Sequence, residues 1–119
     1  MSHLVTIQTE IRDANAIRAA QRRLGWEVGA NWQTIKFYSG QAEGWAINAP
    51  GWRYPIVATA DGTLHYDNYN GRWGNQKHLD AFRQAYAVEK SKLEARRKGY
   101  SVTEKSLPNG DVKVEVRVP

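Results

Sequence analysis

The chain has 119 residues, a formal net charge of +5 and no cysteine. That length suits a single domain, 1–119, able to bury roughly two-thirds of its unfolded surface without covalent staples. The missing thiols exclude disulfides, thiolate metal sites, iron–sulfur ligation and cysteine nucleophiles. No stretch approaches the ~20 apolar residues of a membrane span, and nothing near the N-terminus has the apolar run of a signal peptide. A cytoplasmic protein without membrane insertion is expected, and its basic excess favours anionic partners through the long-range field.

The first segment, LVTIQTEI, alternates Val5, Ile7, Thr9 and Ile11 with Thr6, Gln8 and Glu10, the period of a half-buried strand. Asp13 can then cap a helix from Ala14 to Leu24, in which Ile17, Ala20 and Leu24 recur at helical spacing and Gly25 supplies the left-handed stop. From Trp26 to Gly74 no helical period holds, and the stretch contains all five tryptophans and most of the glycines. It reads as short strands and turns. NWQTIKFY and GWAINA are two strands separated by a turn at Ser39-Gly40. RYPIVAT and TLHYDNY form a better-specified hairpin around Ala60-Asp61-Gly62, with Ala58 opposite Leu64 and Ile56 opposite Tyr66. That register places the apolar set, including Tyr54 and Tyr66, on one face and Arg53, His65, Asp67 and Tyr69 on the other.

A long helix follows, capped by Asn75, with Leu79, Phe82, Tyr86 and Leu93 as its apolar stripe. Glu94 and Lys98 are spaced for an i,i+4 pair, Arg96-Arg97-Lys98 complements the helix dipole, and Gly99 ends the helix. The chain closes with a hairpin around Pro108-Asn109-Gly110, in which Val102 faces Val116, Tyr100 faces Val118, and Val112, Val114, Val116 and Val118 are directed to the core. The order β-α-β-β-β-β-α-β-β predicts an α+β domain with two helices beside a mainly antiparallel sheet.

The opening MSHLVTIQTEIRD, the block AAQRRLG, the central YDNYNGRWG and above all YAVEKSKLEARRKGYSVTE resemble the hypothetical chloroplast reading frame thirty-five family of cyanobacteria, plastids and bacterial relatives. Gln21 stands where many members of that family have cysteine. The resemblance implies no established activity. It implies a protein working within an assembly, because some members are encoded near a AAA-type ATPase, a ferredoxin and another small protein.

Catalysis has little support from the residues. His3, His65 and His78 are far apart and none has a partner at metal-ligand spacing, so no metal and no cofactor are expected. His65 and Asp67 could act as a base and its orienter, yet two-residue spacing sets them side by side rather than bonded, and a polar pair on a solvated face accounts for them better. No phosphate-binding glycine loop or nucleophile elbow occurs. Binding has more support, since Trp, Tyr and Arg bury large areas and Arg bonds anions or stacks on rings. GWRYP and YDNYNGRWG supply the candidate ligand-binding residues Arg53, His65, Asp67, Tyr69, Arg72 and Trp73. Tyr66 reads as core, Asn70-Gly71 as a turn, and Trp73 either joins the surface or pins the corner to the long helix. Three readings follow. The first is a non-catalytic module holding a small anionic or aromatic ligand such as a nucleotide, the second an adaptor for a protein partner in an ATPase-containing assembly. The third is single-stranded nucleic-acid binding by base stacking.

Overall fold

The computed structural model describes residues 4–28 and 32–119; His3, and Asn31 at the start of the expected second strand, lie outside them. The elements run β1 (Val5–Gln8), α1 (Ala14–Arg23), β2 (Trp32–Phe37), β3 (Gly40–Ile47), β4 (Ile56–Ala58), β5 (Thr63–Tyr66), a 3-10 turn (Tyr69–Gly71), α2 (Gln76–Arg97), β6 (Ser101–Ser106) and β7 (Val112–Arg117). This is the α+β order expected from the sequence. All strand pairs are antiparallel, and they make two sheets, one of five strands in the order β1-β5-β4-β3-β2 and one of β6 and β7 alone.

Local chemistry explains where the elements begin and end. The Asp13 carboxylate accepts from the N–H groups of Asn15 and Ala16, and Asn75 accepts from Lys77 N–H, so each helix has its first orphan donors met by a side chain. Gly25, Gly62, Gly99 and Gly110 take the positive φ that the helix stops and hairpins require. Ala58 pairs with Leu64 across the β4–β5 hairpin, and Val102 pairs with Val116 across β6–β7. The first hairpin differs in detail. Phe37 pairs with Gly40, so Tyr38-Ser39 forms a two-residue loop and β3 begins at Gly40 rather than at Gly44.

Both helices lie on one face of the five-stranded sheet. Ile17, Ala20, Leu79, Phe82 and Tyr86 from the helices pack with Ile47, Ile56, Ala58, Leu64 and Tyr66 from the strands, and each fully buried large apolar side chain contributes roughly 1.5–3 kcal/mol. Gln21 is buried among them with its Nε2 bonded to Ile17 O and its Oε1 without a partner among the described residues.

The other face was expected to be polar, and here the structure corrects the reading. Val57, on the same side as His65, is fully buried and packs with Phe37 and Ala42 against Leu4, Ile35 and Tyr54. Leu4 N–H donates to Ser39 Oγ at 3.1 Å, bringing the outer strand ends together across this face. A second small core therefore forms where a wet surface was expected. Tyr54 belongs to it, not to the face of Ile56 and Ala58, because Pro55 and a bend at Arg53-Tyr54 interrupt the strand and the two-residue period does not carry across them.

The valine hairpin needs the second correction. Val112 and Val114 are half-buried, but Val116 and Val118 are 45% and 62% exposed. The register and alternation are as expected, yet β6 and β7 join no larger sheet. Among the described residues their inner face meets the helices, chiefly α2, with Glu104 reaching Arg23 and Lys92. Glu94 also chooses other partners than Lys98, pairing with Lys90 at 2.8 Å and Arg97 at 3.0 Å.

Candidate functional site: an aromatic corner with two arginines

The corner that follows β5 is built by its own backbone and by two buried polar side chains. Asp67 Oδ1 accepts from Tyr69 N–H at 3.2 Å, while the Asn68 amide donates to Gly74 O and to Gln76 Oε1. Asn68 O accepts from both Gly71 N–H and Trp73 N–H. These bonds force the chain through three consecutive left-handed residues, Tyr69 (φ 48), Asn70 (φ 52) and Gly71 (φ 93). Glycine and asparagine tolerate that region, but a tyrosine held there costs on the order of 1 kcal/mol or more. The strain turns the Tyr69 ring against Trp73, with centroids 4.8 Å apart.

The preceding loop is fastened to the same corner by Arg53 N–H donating to Trp73 O at 2.8 Å. Tyr54 and Trp73 then meet edge to face at 5.9 Å, and Tyr38 reaches Trp73 from the β2–β3 loop at 6.5 Å. Trp73 is thus the centre of a cluster with Tyr38, Tyr54 and Tyr69, seated on the second core through the Phe37–Tyr54 contact. Two guanidinium groups lie on these rings. Arg53 sits 4.5 Å from the Trp73 centroid and 5.8 Å from that of Tyr54, and Arg72 sits 5.2 Å from that of Tyr69. Among the described residues neither arginine is within ion-pair distance of a carboxylate.

Four of the six residues singled out from the sequence therefore converge: Arg53, Tyr69, Arg72 and Trp73. The other two do not join them in the same way. Asp67 was expected on an exposed face and is fully buried, its Oδ1 holding the corner and its Oδ2 without a partner among the described residues. Strand β5 ends at Tyr66, so the alternation that placed Asp67 outward no longer applies to it. His65 is half-buried on β5, with its Nδ1 3.2 Å from Thr6 Oγ1 across the sheet edge. It makes no base-and-orienter pair with Asp67, which is instead committed to the Tyr69 backbone.

Tyr38 and Tyr54 were missed as cluster members. Tyr38 lies at a hairpin tip with 69% of its surface exposed and reaches Trp73 only through the sheet, so no local signal marks it. Tyr54 had one, the proline after it, which breaks the strand and turns the ring away from Ile56. Trp73 does not pin the corner to the long helix. Trp52 does so, donating from Nε1 to His78 Nδ1 at 3.3 Å and lying against Gly74 so closely that a Cβ there would stand 2.3 Å from its ring.

The corner offers aromatic faces and guanidinium N–H groups, which is chemistry for stacking and anion binding. Among the described residues no three His, Asp or Glu side chains converge as metal ligands, and no helix is long and apolar enough to cross a membrane. Compared with family models, curated proteins and solved structures, the chain gives no significant match.

Proposed function

We propose that the protein is a non-catalytic binding module that holds a small anionic aromatic ligand, of the chemistry of a nucleotide, at the corner formed by Tyr38, Arg53, Tyr54, Tyr69, Arg72 and Trp73. The observation that carries this reading is the position of Arg53 and Arg72. Each lies on an aromatic ring, and among the described residues neither is within ion-pair distance of a carboxylate. A guanidinium stacked by its face keeps its N–H edge available to an anion, and the stacking holds it in place beforehand. The exposed Tyr38 ring adds a face on which a base can stack.

The test compares adenosine monophosphate, adenosine and inorganic phosphate in titrations followed by tryptophan fluorescence and by amide chemical shifts. The reading expects the nucleotide to bind more tightly than either part, with shifts centred on Tyr69–Trp73. Arg53→Ala and Arg72→Ala should remove the preference for nucleotide over nucleoside. Equal binding of all three probes, or a preference untouched by both variants, would sink it. A short single strand that binds far better than the mononucleotide, with affinity falling steeply in salt, would replace it with nucleic-acid binding.

A further inference from the structure

The second sheet ends at β7, whose outer edge pairs with no strand among the described residues. A free edge is a template for another strand, and proteins guard it with proline, a bulge or charge. β7 has no proline or bulge, and its charges, Lys113, Glu115 and Arg117, alternate in sign rather than repelling a partner strand outright. Its six residues, VKVEVR, run in unbroken register with β6 and alternate valine with charge. On the inner face Val116 and Val118 stand well exposed.

We infer that this edge pairs with β7 of a second copy, antiparallel about a twofold axis through Val114, to make a four-stranded sheet. Charge and overlap together set the register, since axes at Val112 or Val116 also oppose unlike charges but leave a shorter stretch of β7 paired. With the axis at Val114, Lys113 lies opposite Glu115 of the other copy, Asp111 opposite its Arg117, and Val112 opposite its Val116. Every charged residue faces the opposite sign, and each exposed Val116 gains a valine neighbour. Moving the axis to Lys113 sets Lys113 against itself and Asp111 against Glu115, and moving it to Glu115 sets Glu115 against itself and Lys113 against Arg117. Like charges directly opposite one another disfavour both of those registers. Lys113 and Glu115 already pair within each chain at 3.3 Å, and in the dimer the two pairs lie side by side with alternating sign. The contact is isologous, so the same patch serves both copies and the assembly closes at two.

Sedimentation of the full chain from micromolar to millimolar concentration reads the association directly. The wild type should form a reversible dimer. Lys113→Glu and Glu115→Lys, made singly, should each weaken it about tenfold or more, since each creates two like-charge pairs per dimer. The double variant carrying both changes should restore it, and all three should unfold cooperatively as monomers, the singles losing only the exposed Lys113–Glu115 pair. In a mixture of isotope-labelled and unlabelled chains, Val114 should show contacts to Val114 of the other copy. A protein monomeric throughout, a dimer indifferent to the single reversals, or a double variant as weak as the singles would overturn the inference.

Discussion

Two regions of this molecule concentrate positive charge, and they treat it in opposite ways. At the joint between the helices and the β6–β7 hairpin, every cation that reaches inward meets a carboxylate. Arg23 and Lys92 converge on Glu104, Lys90 bridges Asp13 and Glu94, and Arg97 reaches both of the latter. Bonds from Arg23 and then Lys92 hold the Glu104 carboxyl down at about 2, from 4.5. Burial opposes the charge on Asp13, yet bonds from Lys90 and from the Ala16 and Asn15 N–H groups outweigh it and keep that carboxyl below its ordinary range. At the aromatic corner the guanidinium groups of Arg53 and Arg72 lie on rings, with no ion pair among the described residues. The net charge of +5 says nothing about this division. A cation beside a carboxylate is neutralised where it stands, whereas one on an aromatic face keeps most of its field for a ligand.

Four measurements would break or sharpen that contrast. The largest effect is expected beneath the corner: Tyr66 is buried, touching Trp52 edge to face, so Tyr66→Ala should lower stability by on the order of 3–5 kcal/mol in a denaturant melt. Next comes the corner's own frame. Gly74→Ala drives a methyl into the Trp52 ring and should destabilise by about 1–3 kcal/mol, with loss of ligand binding because Trp73 and Arg72 move with it. A Gly74→Ala variant as stable as the wild type would mean that the corner is loosely held and that its rings are not preorganised.

At the charged joint, Glu104→Gln should cost about 1 kcal/mol near neutral pH, since solvent screens a network of this exposure. Its pH dependence is more telling. Glu104 has its folded-state value depressed from 4.5 to about 2. Its contribution is therefore complete above about pH 4.5 and lost as pH falls toward 2. Thermal melts of wild type and variant should differ at pH 7 and converge in acid; a constant difference would show that the network stabilises by packing alone. The smallest stability change is expected for Arg72→Ala, under ~0.5 kcal/mol, as for an exposed side chain outside any buried pair. If Arg72→Ala melts as low as Tyr66→Ala, the arginine is a clamp and the corner is only a corner.

Much of this architecture was written locally. Asp13, Asn75, Gly25 and Gly99 bound the two helices because caps and left-handed stops act within a few residues. Gly62 and Gly110 set both later hairpin registers for the same reason, since loop length and turn type decide which residues face each other. The hairpin also brought the two aromatic segments together as the sequence implied, but Arg53 and Tyr69 meet Trp73 from a bend and a left-handed turn outside β4 and β5, not by the strand alternation expected of them. Tertiary structure alone decided how deep each face lies. The valines of β7 alternate as a core strand does, but α2 covers only part of that face and leaves Val116 and Val118 exposed. Val57 became core because Leu4 and Phe37, distant in sequence, close over it. Asp67 went inside and Tyr38 joined the cluster for a like reason: which surface is covered depends on contacts between residues far apart along the chain, and no local period encodes them.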